Sequence, residues 1–69
     1  MKISISTEFI RLDALLKLAN FVGSGGQAKL VIQSGQVSVN NEICTQRGKK
    51  IRVGDVVMFE EQTVTVVNS

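Results

Sequence analysis

The chain has 69 residues and a formal net charge of +2, which fits one domain over residues 1–69 with a small core. No apolar run approaches the roughly 20 residues that span a bilayer, and residues 1–7 are too polar for a signal peptide, so we expect a cytoplasmic protein. A single cysteine, Cys44, excludes an internal disulfide. Because the chain has no histidine and no metal-ligand spacing, we expect no metal, no cofactor and no catalytic site.

The first elements are predicted to be a strand and a helix. Residues 2–6 alternate between apolar and polar side chains, as in a short strand. Thr7 is a suitable N-cap for the helix that follows. Asp13 and Lys17 form an i,i+4 pair on its exposed strip, and Arg11 lies at the edge of its apolar surface. The apolar side chains that repeat at helical spacing are Phe9, Leu12, Leu16 and Ala19.

A second helix is predicted to begin after Ser24. Ser24 and Gln27 have the spacing of a capping box, and Gly35 stands where a left-handed C-terminal cap belongs. Lys29 and Gln33 share one stripe of this helix. The opposite, core-facing stripe consists of Ala28, Val31 and Ile32.

The rest of the chain is predicted to form hairpins. Asn40-Asn41 is typical of a two-residue type I′ turn, and Ile43 on the return strand is expected to point inward. A polar loop follows at residues 46–50. A turn is predicted at residues 53–55 and a tight one at residues 61–62. The strands are expected at residues 37–39, 42–45, 56–60 and 63–67, with Val64 and Val66 inward.

Four cations, Arg47, Lys49, Lys50 and Arg52, lie within six residues of one another, and an acidic turn lies further along the chain. In one interpretation they converge with Arg11 and Lys29 on a face that neutralises RNA phosphates. In the other, each is an ordinary solvated cation. If three to five phosphates are contacted, log affinity should fall with log salt at a slope of roughly −2 to −3.5 for single-stranded RNA.

Gly25 and Gly26 leave two interpretations open. Missing side chains let a phosphate approach the free N–H groups of a helix N-terminus, or they permit close packing against the first helix. Gly25-Gly26-Gln27 is also the tripeptide that peptide-release factors present to peptidyl-tRNA, but three letters are a weak signal, and Gln27 is better explained as a cap partner.

The sequence resembles the S4 RNA-binding domain over roughly residues 8 to 60. The motifs that carry the resemblance are Arg11-Leu12-Asp13, Ala28-Lys29 with Ile32, Gly35, Val37, Val39 and Asn40, and Ile51-x-Val53-Gly54-Asp55-Val56. Ser24-Gly25-Gly26-x-Ala28-Lys29 with Arg47-Gly48-Lys49-Lys50 is similar to the short stand-alone bacterial S4-like proteins of the YbcJ/YaaA type.

The resemblance implies an α+β fold in which a two-helix αL motif packs on a small, bent antiparallel sheet of four or five strands. It implies a non-enzymatic protein that binds structured RNA, either ribosomal or transfer RNA, with a ribosomal particle as a further partner. The alternative is a protein-interaction module that docks on a ribosome-associated factor. The residues expected to bind RNA are Arg11, Lys17, Ser24, Gly25, Gly26, Gln27, Lys29, Gln33, Arg47, Lys49, Lys50 and Arg52.

Overall fold

The computed structural model describes all 69 residues as two helices and seven strands. In chain order they are β1 (Lys2–Ile5), β2 (Ile10–Arg11), α1 (Leu12–Leu18), α2 (Gly25–Gln33), β3 (Val37–Val39), β4 (Glu42–Ile43), β5 (Lys50–Ile51), β6 (Val56–Phe59) and β7 (Gln62–Asn68). Neither helix has the length and apolar character needed to cross a membrane.

The strands form two sheets. The larger has the order β1-β7-β6-β3-β4, and the smaller pairs β2 with β5. All pairings are antiparallel except that of β1 with β7, which is parallel. The predicted α+β architecture is confirmed. The parallel first strand was not anticipated, because its partner lies at the other end of the chain.

The core is entirely apolar and lies between the two helices and the larger sheet. All 16 buried residues are hydrophobic, and no polar side chain is buried. The fully buried members include Leu12, Leu15 and Leu16 from α1, Ala28 and Ile32 from α2, and Val37, Val57, Val64 and Val66 from the sheet. At roughly 25 cal/mol for each Å² of buried apolar surface, this cluster is the main source of stability.

The first helix begins later than predicted. Thr7 is not its N-cap; its hydroxyl donates to the carbonyl of Phe9 at 2.9 Å. Residues 10 and 11 are extended instead, because they pair with β5. Arg11 therefore occupies the N-cap position, with no side-chain cap.

The second helix has the predicted boundaries. The Ser24 hydroxyl accepts from the backbone N–H of Gln27 at 3.1 Å, and the Gln27 side chain accepts in return from the N–H of Gly23 at 2.8 Å. Gly35 has a φ of 81°, as expected for a left-handed C-terminal cap.

The β3–β4 hairpin has the predicted turn but not the predicted return strand. Asn40 and Asn41 have φ values of 51° and 72°, consistent with a type I′ turn. The inward placement of Ile43 is wrong, since its side chain is 72% exposed. Ile43 pairs with Ser38, and cross-strand partners share one face of a sheet. Because Val37 and Val39 are the core-facing residues of β3, Ile43 lies on the opposite face.

The last hairpin turns one residue earlier than predicted. Its turn consists of Glu60 and Glu61, with a φ of 59° at Glu60, so that Gln62 already belongs to β7. Val64 and Val66 are fully buried, as predicted.

Candidate nucleic-acid interface

The smaller sheet brings together cations from distant parts of the sequence. In its two-residue ladder, Arg11 lies opposite Lys50 and Ile10 lies opposite Ile51. Ile51 is fully buried, whereas both cations are exposed. The burial of Ile51 thus anchors the ladder, and the ladder holds Arg11 and Lys50 side by side.

The loop before β5 is fixed to the start of α1 by backbone hydrogen bonds. The N–H of Leu12 donates to the carbonyl of Lys49 at 2.9 Å, and that of Asp13 donates to the carbonyl of Arg47 at 3.1 Å. These bonds satisfy two N–H groups that the first turn of a helix leaves without partners. The side chains of Arg47 and Lys49 remain exposed, and their backbone lies against the two residues that follow Arg11.

Arg11 lies against this loop and pairs with an acid in the first turn of α1. Its Nη2 is 3.2 Å from Oδ2 of Asp13, and a Cβ built on Gly48 would lie 3.6 Å from the same nitrogen. The side chain of Arg11 is 55% exposed. The predicted pairing of Asp13 with Lys17 is wrong, because Asp13 pairs with Arg11 instead.

An aromatic side chain lies against two of the cations, although its spacing predicted a place on the apolar surface of the first helix. The Nζ of Lys50 lies 5.0 Å from the centre of the Phe9 ring, and the Cζ of Arg52 lies 5.9 Å from it. Both separations are within the range of cation–π attraction. The only signal in the sequence was that Lys50 and Arg52 are two residues apart, so that on a strand they share a face.

Five cations thus form one group, which we call the basic cluster. It consists of Arg11, Arg47, Lys49, Lys50 and Arg52.

The N-terminus of α2 is exposed and uncrowded. A Cβ on Gly25 would come no closer than 3.9 Å to another group, the Nζ of Lys17, and one on Gly26 no closer than 4.0 Å. Packing therefore requires neither glycine, and neither has a positive φ. The backbone N–H groups of these two residues precede the first hydrogen-bonded turn. The structure contradicts the packing interpretation and leaves room for an anion.

The predicted residues fall into three groups. In the basic cluster, the β2–β5 ladder and the Phe9 ring connect Arg11, Lys50 and Arg52, and Arg47 and Lys49 lie on the loop that is bonded to α1. Lys17 approaches the N-terminus of α2, and it lies six residues after Arg11, about 9 Å along the axis of α1. Lys29 and Gln33 are exposed on α2, and no hydrogen bond or ion pair joins them to the basic cluster.

An open-sided cavity of about 530 Å³ adjoins the basic cluster. It is lined by the β3–β4 hairpin and the residues that follow it, and by Lys49, Lys50, Arg52 and Asp55. Three members of the basic cluster therefore also line the cavity.

The family model described as S4 domain matches residues 3–67 of the chain. The chain belongs to the S4 domain family. The predicted resemblance is thereby confirmed, and it extends beyond the residues that suggested it.

Two bacterial relatives resemble this S4 domain over 58 residues, which is 84% of the chain. A probable ribosome maturation protein of Bacillus subtilis, RlbA, is 50% identical, and the match covers 82% of its length. A putative RNA-binding protein of Escherichia coli, YbcJ, is 41% identical, and the match covers 83% of its length.

Two solved structures share the fold. The solution structure of Escherichia coli YbcJ, reported to reveal an αL motif involved in RNA binding, superimposes with a TM-score of 0.74 at 37% identity. The alignment covers 96% of this S4 domain and 85% of YbcJ. Heat Shock Protein 15 of Vibrio cholerae superimposes with a TM-score of 0.75 at 21% identity, over 90% of this chain and 66% of that one, and shows the fold alone.

Proposed function

We propose that this S4 domain is a non-enzymatic cytoplasmic protein that binds structured RNA, with ribosomal RNA as its target and ribosome maturation as its process. The RNA lies on a basic face formed by the two helices and the Arg47–Arg52 loop. Transfer RNA is the second RNA class that the same face would accept.

The observation that carries the proposal is the convergence of the basic cluster. Arg11 is distant in sequence from the other four cations, yet pairing with Lys50 and contact at Gly48 place it among them. Only one of the five cations, Arg11, is engaged in an ion pair. Exposed cations gathered in this way raise the local positive potential, which attracts a polyanion.

Structured RNA suits this surface better than an unstructured strand. Nonspecific single-strand binders stack successive bases on aromatic side chains. The chain has three phenylalanines and no tyrosine or tryptophan, and the ring of Phe9 already has two cations over it. Folded RNA is recognised mainly through its shape, phosphates and 2′-hydroxyls, which needs cations rather than a stacking platform.

The relatives support the choice of target and process. The Bacillus subtilis relative is a probable ribosome maturation protein, and the Escherichia coli relative is a putative RNA-binding protein. A binding role also agrees with the chemistry of the chain, because the one thiol, Cys44, has no histidine to act as its base.

Binding of purified ribosomal subunits and of ribosomal RNA fragments tests the proposal. We expect a complex that weakens as salt increases and that is lost when Arg11, Lys29 and Lys50 are all changed to glutamate. Lys50→Glu and Lys2→Glu change the net charge of the protein by the same amount. Lys2 lies on β1, at the opposite edge of the larger sheet from β4, so Lys2→Glu should weaken binding far less than Lys50→Glu.

RNA binding that does not change with salt, or that survives the triple reversal, would overturn the proposal. The protein-interaction module would then be favoured. In that case the chain would bind a ribosome-associated protein in the absence of RNA.

A further inference from the structure

The cavity beside the basic cluster is large enough for a small ligand and is lined mainly by polar groups. Its volume of about 530 Å³ lies within the range of about 300–1,000 Å³ that is typical of ligand sites. Only three of its eleven lining residues are hydrophobic. A purely apolar ligand would leave these polar groups unpaired, so the cavity suits a polar one.

Charges of both signs line the cavity without pairing across it. Lys49, Lys50 and Arg52 supply the cations of the lining, and Glu42 on β4 supplies an acid. The ion pair between Arg11 and Asp13 is the only one in the protein, so no cation of the cavity lies within 4 Å of the Glu42 carboxylate. A ligand that carries an anionic group at one end and hydrogen-bond donors at the other would match both kinds of charge.

The second acid of the cavity, Asp55, is already occupied. Its Oδ1 accepts from the Asn40 side chain at 3.1 Å, and its Oδ2 accepts from the N–H of Arg52 at 2.8 Å. Asn40 in turn accepts from the N–H of Val56 at 2.9 Å. Asp55 therefore helps to fix the lining of the cavity, whereas the Glu42 carboxylate makes no hydrogen bond within the protein and is the acceptor free for a ligand.

We propose that this cavity holds one unpaired guanosine of the bound RNA, with its phosphate at Lys49, Lys50 and Arg52 and its base edge at Glu42. The inference rests on the proposed function, because it assigns a nucleotide to a site next to the RNA surface. It adds a preference for one base, which the basic cluster alone does not supply, since phosphate contacts carry no direct sequence information.

Guanine is the base that fits the free carboxylate. Its Watson–Crick edge presents two adjacent donors, N1–H and the N2 amino group, to the two oxygens of a carboxylate, which accepts only. Uracil presents a single N–H between two carbonyl oxygens, which the carboxylate repels. These edges are available in unpaired RNA, where sequence-specific recognition is concentrated.

The test uses three RNA hairpins that share one stem and loop and differ at one unpaired position, which is guanosine, inosine or uridine. Inosine lacks only the N2 amino group of guanosine. We expect the whole chain to bind the guanosine hairpin about five-fold or more tightly than the inosine hairpin, and the uridine hairpin to be the weakest. The amide NMR signals of Glu42 and Asp55 should shift with the guanosine hairpin.

Two variants that lose the same negative charge test whether the preference for guanosine depends on the cavity. Glu42→Ala should bring the guanosine-to-inosine affinity ratio close to one, although the lost negative charge should tighten binding of all three hairpins. Glu61→Ala removes the same charge from an exposed turn and should leave the ratio unchanged.

Failure of the guanosine site and failure of the proposed RNA binding give different results. Equal affinity for the three hairpins, or a ratio that survives Glu42→Ala, would overturn the guanosine site and leave the proposed RNA binding intact. Binding of none of the three, together with no binding to ribosomal subunits, would overturn both.

Discussion

The backbone N–H of Leu12 donates to the carbonyl of Lys49 at 2.9 Å. This bond joins the first residue of α1 to the loop that carries Arg47 and Lys49 and leads into β5 at Lys50. The backbone N–H of Asp13 donates a second bond, to the carbonyl of Arg47 at 3.1 Å. The loop therefore supplies partners for the helix N-terminus, and the backbone that carries its cations is held next to Arg11.

Arg47→Ala and Lys49→Ala should weaken RNA binding without destabilising the fold. The loop is attached through the carbonyls of these residues, and both side chains are exposed without hydrogen bonds. Each variant should change the free energy of unfolding by less than about 0.5 kcal/mol. If each side chain contacts a phosphate, each removal should make the slope of log affinity against log salt less steep by roughly 0.7 to 0.9.

Chemical denaturation and RNA titration at several salt concentrations measure the two effects separately. Lys2→Ala is the control for loss of one positive charge and should leave the salt slope close to that of the wild type. A stability loss well above 1 kcal/mol in Arg47→Ala would show that the side chain supports the fold, contrary to the geometry.

Ser24→Ala should destabilise the protein by about 1 kcal/mol. The Ser24 hydroxyl accepts from the N–H of Gln27 at 3.1 Å, and alanine leaves that N–H without a partner in the protein. Ser6→Ala is the control, because Ser6 is exposed and its side chain makes no hydrogen bond. Equal stability of the two variants in thermal unfolding would contradict a role for the cap.

Asn40→Gly should destabilise the protein by about 1–3 kcal/mol. Glycine adopts the positive φ of 51° at this position without strain, so the loss comes from the side chain. The Asn40 amide joins Asp55 to the N–H of Val56 and thereby ties the β3–β4 turn to β6. Asn41→Gly is the matched control, since Asn41 also has a positive φ, of 72°, but no side-chain hydrogen bond.

Urea unfolding of the two asparagine variants measures the difference between them. Asn41→Gly should remain within about 0.5 kcal/mol of the wild type. A similar loss in both variants would mean that backbone conformation, rather than the Asn40 network, determines the stability of this turn.

Elements whose boundaries depend on local chemistry could be predicted from the sequence. The start of α2 follows from the Ser24 and Gln27 spacing, and its end follows from Gly35. The β3–β4 turn follows from two asparagines that tolerate positive φ. At the start of α2 the residues that make the decisive contacts lie within four positions of one another.

Features that depend on distant partners could not be predicted in this way. Thr7 is a chemically suitable N-cap, but pairing of Ile10 with Ile51 keeps residues 10 and 11 extended and delays the helix. The outward direction of Ile43 depends on its register with Ser38. The contact of Phe9 with Lys50 and Arg52 likewise needs the β2–β5 ladder.

The candidate site likewise has some features that the sequence predicts and others that depend on distant partners. The cations of the Arg47–Arg52 loop are visible as a run in the sequence, and the S4 motifs point to Arg11. That these residues meet is a consequence of the ladder and of the bonds to α1. The cavity beside them is formed by segments that are separate in sequence, and no motif marked it.

Changing both Gly25 and Gly26 to alanine should stabilise the protein while weakening its binding to RNA. A Cβ at either position meets nothing closer than 3.9 Å, so alanine fits, and each replacement should add about 0.4–1 kcal/mol by reducing the freedom of the unfolded chain. The added methyl groups would obstruct an anion that approaches the free N–H groups of the α2 N-terminus, where the helix dipole is favourable.

Thermal unfolding of the double variant should show higher stability, and RNA titration of the same variant should show lower affinity. Gly23→Ala is the control, because Gly23 lies before the helix and its N–H already donates to Gln27; it should leave RNA affinity nearly unchanged. Higher stability with unaltered RNA affinity would show that the α2 N-terminus does not contact RNA. The basic cluster would then be the centre of the interface. Lower stability would contradict the open space around the two glycines.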